Sequence, residues 1–159
     1  MIKIGVISDT HGVLRDEVIE ILKGCQAILH AGDINKPEII QRLEAIAPLY
    51  IVRGNNDKGE WAEILPLFLE FELYGYQFYM THQKKDVPKP YPKVDFIITG
   101  HSHQYAYEDE KDTIWLNPGS CGKRRFGLEI SMAILEIVGG KLRIVKKQLE
   151  PPLNVVSSK

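Results

Sequence analysis

The chain has 159 residues, 44% of them hydrophobic and 26% charged, with a formal net charge of −1. That length supports one domain with a substantial core, and the composition excludes a disordered chain. The near-neutral balance gives no global field for nucleic acid or an anionic membrane, although a local metal or arginine can still attract a small anionic substrate.

Lys3–Ser8 is short and nearly continuously apolar, the pattern of a strand covered on both faces. Leu14, Val18, Ile21, Leu22 and Cys25 then recur at helical spacing, with Arg15, Asp16, Glu17 and Glu20 between them and Gly24 placed to end the helix. Ala27–His30 reads as a second buried strand. Pro37 fits the first turn of a second helix, whose inner face is Ile39, Ile40, Leu43 and Ile46, and Leu49–Val52 reads as a third strand. This β-α-β-α-β order predicts parallel pairing with right-handed crossovers.

After residue 60 the pattern changes. Phe68–Leu73 and Gln77–Thr81 flank Tyr74-Gly75-Tyr76 and read as a hairpin, and Phe96–Thr99 as a further strand. Tyr105–Glu108 and Thr113–Leu116 flank the turn residues Asp109–Asp112, and Gly139-Gly140 joins Met132–Val138 to Lys141–Lys147 as a two-residue hairpin turn. This half is expected to be mostly antiparallel, and the whole a mixed α/β chain of two packed sheets with helices outside. Residues 1–150 are expected to form a single domain and residues 151–159 a loose tail.

Polar clusters interrupt the apolar pattern at strand ends: Asp9-Thr10-His11, Gly32-Asp33, Gly54-Asn55-Asn56-Asp57, Thr81-His82 and Gly100-His101-Ser102-His103. The carboxyl ends of parallel strands open into one crevice, so side chains from separate strands can converge there. The set is oxygen and imidazole without thiolate, which suits Mn, Fe, Co, Ni or Zn better than Ca. Any single cluster reads equally well as a turn or cap; the ordered combination does not. His30 lies inside a strand and reads as structural.

The ordered set resembles the calcineurin-like metallophosphoesterase superfamily: D-x-H (Asp9, His11), GD (Gly32, Asp33), GN (Gly54, Asn55), a lone His82, then GH-x-H (Gly100, His101, His103). The size and Asn117-Pro118-Gly119-Ser120 resemble its compact phosphodiesterase branch, which includes the retromer scaffold subunit. The resemblance implies a four-layer α-β-β-α sandwich with a metal cleft at the strand carboxyl ends. It implies one divalent ion held by Asp9, His11, Asp33 and His103, and another by Asp33, Asn55, His82 and His101, with Asp33 bridging. Two ions per chain follow, manganese first and Ni, Co, Fe or Zn as alternatives, supplying the hydroxide that cleaves a phosphodiester. Asp33, Asn55 and Asn56 are the expected catalytic side chains.

The chain departs from the phosphatase branch at Asn56, where that branch has histidine. An amide has no titratable proton to give a departing alkoxide, which ranks phosphodiesters with acidic leaving groups above alkyl monoesters. Asn117–Ser120 could present backbone N–H groups to the cleft or be a turn. Lys123, Arg124 and Arg125 could meet a second phosphate but read better as a solvated loop. A Cys-x5-Arg phosphatase loop starting at Cys121 would need arginine where Gly127 stands, so nucleophilic cysteine chemistry is rejected. Cys25 and Cys121 form no disulfide framework, and no signal-peptide or membrane-spanning pattern occurs, so a cytoplasmic protein is expected. The competing readings are a binding scaffold, a phosphomonoesterase and a nuclease. The loop Val87–Tyr91, with Trp61, offers a surface for a partner or for homo-oligomerisation, while nucleic acid has little support.

Overall fold

The apolar run at the N-terminus forms β1 (Ile2–Ile7), buried over its last four residues, in a computed structural model that describes residues 1–153. It leads to α1 (Asp16–Leu22), with Asp16 and Glu17 in the first turn, where carboxylates complement the helix dipole, and Val18 and Leu22 buried. The helix is shorter than the Leu14–Cys25 periodicity predicts. Arg15 stays extended, and its guanidinium bonds Gly122 O at 2.9 Å and Glu150 at 2.6 Å, which ties the helix entry to a distant loop. β2 (Ala27–His30), α2 (Pro37–Glu44, with Pro37 in its first turn) and β3 (Leu49–Ile51) complete the parallel half as expected, with Ile4 opposite Ala27 and Ile28 opposite Leu49.

A one-turn helix, α3 (Glu60–Glu63), precedes β4 (Phe68–Leu73) and β5 (Tyr76–Thr81), which form the expected hairpin. A 3-10 turn (Lys84–Asp86) leads on to β6 (Phe96–Ile98), β7 (Tyr105–Glu110), β8 (Thr113–Pro118), β9 (Ile130–Val138) and β10 (Lys141–Glu150). The sheets run β10-β9-β1-β2-β3 and β4-β5-β6-β8-β7. Two features differ from the sequence reading. The last hairpin joins the first sheet, β9 pairing antiparallel with β1. The centre of the second sheet is parallel, β5 beside β6 and β6 beside β8. β8 inserts between β6 and its own hairpin partner β7, so the middle of the sheet points one way and opens its carboxyl ends on one edge.

Between the sheets lies one core, including Ile4, Val6, Leu29, Phe78, Met80, Phe96, Ile98 and Leu135. Phe71, Phe78 and Phe96 stack in a row at 5.1 Å spacings. Each large side chain fully buried here contributes about 1.5–3 kcal/mol. A second core packs α1 and α2 on the outer face of the first sheet through Val18, Leu22, Ile28, Ile39 and Leu43. The outermost layer over the second sheet is thin: Val87 and Val94, from the segment after the Lys84–Asp86 turn, pack with Tyr79, Ile97 and Trp115. No helix among the described residues is long and apolar enough to cross a membrane. The expected tail begins at Pro151; Pro151 O accepts from Arg124 and Leu153 N–H bonds Gly127 O at 2.9 Å, while residues 154–159 lie outside the described residues.

His30, at the end of β2, is fully buried. Its Nδ1 accepts the Gly32 N–H at 3.1 Å, so the neutral ring carries its proton on Nε2 and donates to Thr10 Oγ1, also at 3.1 Å. Burial pushes its pKa down from 6.5 to about 4. As pH falls through that window the unfolded chain takes up a proton that the folded chain refuses. The metal-free protein should therefore lose about 3 kcal/mol of stability from this group between pH 6.5 and 4. Urea unfolding of metal-free wild type and His30→Gln across this range checks it. The variant should start less stable and depend less on pH, and parallel curves would contradict the assignment.

Candidate metal centre

Each polar cluster lies just beyond the carboxyl end of a strand: Asp9 and His11 after β1, Asp33 after β2, Asn55 after β3, His82 after β5, and His101 and His103 after β6. The backbone turns sharply to bring them together. Asp9, His11, Asp33, Asn35, His101 and His103 all have positive φ, between 47° and 74°. Each non-glycine residue held there costs of order 1 kcal/mol and persists because its surroundings enforce it.

Asp57 is the chief enforcer. Its buried carboxylate accepts backbone N–H groups from Asp33, Ile34, Asn35 and Gly54 at 2.8–3.0 Å, which staples the loop after β2 to the loop after β3. Across the cleft, Asp9 Oδ2 accepts from Ser8 Oγ at 2.6 Å and His101 N–H at 3.0 Å, joining the β1 and β6 loops. Gly54 and Gly100 permit this convergence: a Cβ at Gly54 would collide with Asp33 Oδ1 and N, and one at Gly100 with Ser8 Oγ.

Two groups of potential ligand atoms result, each with its atoms within 4.8 Å of one another: Asp9, His11 and His103, and Asp33, His82 and His101. Asp33 Oδ2 lies between them, 3.5 Å from His11 Nε2 and 3.2 Å from His82 Nε2. Asn55 Oδ1 is 3.2 Å from His101 Nδ1. Asp9 Oδ1 is 3.4 Å from Nε2 of both His11 and His103, yet it is buried without a hydrogen-bond partner, as is His82 Nε2. His82 Nδ1–H donates to Ala31 O at 2.7 Å, which leaves the Nε2 lone pair of the neutral ring facing carboxylate oxygens. Lone pairs aimed at one another repel unless a proton or a cation lies between them. The oxygen and imidazole donor set fits a borderline divalent ion.

The charges respond accordingly. Burial would raise the Asp9 carboxyl, but His103, His11, His82 and Ser8 outweigh it and hold Asp9 far below the ordinary carboxylate range. Burial also opposes the shift at Asp33, which His82 and the Asn56 N–H pull down, and at His82, which Asp33 and Asp9 pull up.

The Asn56 N–H bonds Asp33 Oδ1 at 2.9 Å and its side-chain amide donates to Asp33 Oδ2 at 3.1 Å, so the residue also supports Asp33. Asn117–Ser120 turns inward. Gly119 N–H bonds Asn117 Oδ1, Ser120 Oγ donates to Asp9 O, and Asn117 Nδ2 donates to Gly100 O, so the segment buttresses the ligand loops. Arg124 is engaged by Leu128 O, Pro151 O and Glu150, whereas Lys123 and Arg125 are exposed. Burial pushes the Cys121 thiol up to about 12, which disarms it as a nucleophile. Trp61 packs against the core under α1 and α2, whereas Val87 is buried in the cluster over the second sheet and Tyr91 of the same loop is exposed. Sequence reasoning gave Asp57 no role because a carboxylate that gathers backbone N–H groups looks, in sequence, like any turn aspartate; its place directly after Gly54-Asn55-Asn56 was the available signal.

Residues 2–140 match the calcineurin-like phosphoesterase superfamily domain. A probable metallophosphoesterase of Methanothermobacter thermautotrophicus is 32% identical over 158 residues, covering 87% of this chain and 88% of that protein. A phosphodiesterase of Methanocaldococcus jannaschii is 30% identical over 139 residues, covering 75% of this chain and 84% of that protein. The structure of Chaetomium thermophilum Vps29 superposes with a TM-score of 0.75 at 19% identity, covering 96% of this chain and 99% of that one, a likeness of fold.

Gly54→Ala should separate the two stapled loops. Divalent-ion affinity, measured by isothermal titration, should fall by at least about tenfold, with far-UV circular dichroism retained. Unchanged affinity would mean that the close approach of Gly54 to Asp33 is dispensable.

Proposed function

The chain belongs to the calcineurin-like phosphoesterase superfamily, and from that premise we propose that it is a cytoplasmic phosphodiesterase working with two divalent ions, manganese foremost. The observation that carries this reading is Asp33 Oδ2 lying between the two groups of ligand atoms. In this reading Asp9, His11, Asp33 and His103 hold one ion, and Asp33, Asn55, His82 and His101 the other. When bound, such a pair supplies Lewis acidity and a hydroxide nucleophile at neutral pH.

The chain's own residues orient and support. Ala31 O fixes the His82 ring, Ser8 and the His101 N–H fix Asp9, and Asn56 holds both oxygens of Asp33. The full ligand set at one edge supports hydrolysis over a purely scaffolding role.

Purified protein should bind about two divalent ions per chain, and chelation should abolish hydrolysis of bis(p-nitrophenyl) phosphate. Asp33→Ala should be the most damaging single change, at least roughly 10²-fold in kcat/KM, since outer-shell partners alone are typically worth 10–100-fold. Full activity in a metal-free preparation would overturn the reading.

Asn56 supplies a second test. Aryl oxygens leave as stable anions, whereas alkoxides need a proton, and general acid catalysis is typically worth ~10²–10⁴-fold. Wild-type rates should fall steeply as leaving-group pKa rises, and Asn56→His should flatten that slope. Metal content must be compared in both proteins, because the substitution also removes the amide bond to Asp33 Oδ2. Parallel slopes at equal metal content would show that protonation of the leaving group is not limiting.

A further inference from the structure

β4 breaks its own pattern. Its alternation turns Leu69, Phe71 and Leu73 toward the core and Phe68, Glu70 and Glu72 outward. Two glutamates suit that outer face; a phenylalanine does not. The Phe68 ring stacks on the buried Tyr79 at 5.6 Å and 12°, yet Phe68 remains 52% exposed. Packing on Tyr79 therefore accounts for one face of the ring and leaves the other open.

Phe68 and Tyr79 line a cleft of ≈ 520 Å³ whose walls also include Asn55, His82, Leu67 and Lys58. That volume lies within the range of small-molecule sites. The cleft begins at two side chains of the candidate metal centre and runs out over the second sheet. The charges that reach solvent along it are mixed, Arg53 and Lys58 against Asp86, the Asp57 carboxylate being buried, and the exposed ring is its most distinctive feature.

Resting on the phosphodiesterase reading, we infer that this cleft is the subsite for a planar aromatic group on one ester arm of the substrate, with Phe68 as the residue that selects it. A phosphoryl group anchored beside Asn55 and His82 directs one of its two ester arms along the cleft. A flat π-system stacks on the free face of Phe68 whatever its hydrogen-bonding edge, whereas a small alkyl arm leaves that face wet.

The test is direct binding to the metal-loaded protein, read by isothermal titration with phenylphosphonate, methylphosphonate and thymidine 5′-monophosphate. Phe68→Ala should weaken phenylphosphonate about tenfold, the low end of one stacking contact, and leave methylphosphonate unchanged. Phe68→Tyr, which keeps the ring, should bind like wild type, and metal content should be equal in all three proteins. A matching loss for thymidine 5′-monophosphate identifies the arm as a nucleoside; a loss for phenylphosphonate alone identifies it as a simple aryl group. Equal effects on both phosphonates, or no effect on either, would overturn the subsite while leaving the phosphodiesterase reading intact. Failure of both phosphonates to bind wild type would overturn that reading and the subsite with it.

Discussion

Two carboxylates buried in one cleft repel each other, and the structure is organised around that repulsion. The Asp9 and Asp33 side chains are almost wholly inaccessible, and each raises the cost of ionising the other. Imidazoles surround them, but His82 is locked by Ala31 O with its free nitrogen facing the oxygens. Only positive charge reconciles these neighbours, whether protons on the rings or cations between them. The strands are arranged so that this unfavourable gathering occurs at one edge, where several carboxyl ends open together.

Such a gathering is held by force from elsewhere. The left-handed backbone at Asp9, His11, Asp33, His101 and His103 stores strain at the ligands themselves. The stacked aromatic row between the sheets and the N–H groups converging on Asp57 supply the compensating stability. Stability lies in the sandwich, and strain lies at its rim. Substitutions that relax the rim would be expected to stabilise the chain and loosen the site.

The sequence made the parallel half legible because its signals are local. The apolar run of β1, the helical spacing of Val18 and Leu22 and the proline that opens α2 each declare an element within a few residues. The ligand residues were legible because their order along the chain is unusual. What local signals do not carry is the choice of partner. Nothing near Ile130 says that β9 will pair with β1, and nothing in the Lys111–Asp112 turn says that β8 will slip between β6 and β7. The inward turn of Asn117–Ser120 and the role of Asp57 were hidden for a related reason: both are defined by which backbone amides arrive from elsewhere in the chain.

The pairing of β1 with β9 has a consequence in time. Residues 2–7 are synthesised well before residues 130–138, yet one edge of their strand finds its neighbour only when that later segment has emerged. At ~5–20 residues per second that wait is on the order of ten seconds on the ribosome. Throughout it, an apolar strand edge stands open to any passing chain. The loop joining β8 to β9 likewise lacks its anchor until Glu150 arrives to meet Arg15 and Arg124. The strand that delivers the first candidate ligands is thus sealed only after β9, more than a hundred residues later, has emerged to pair with it.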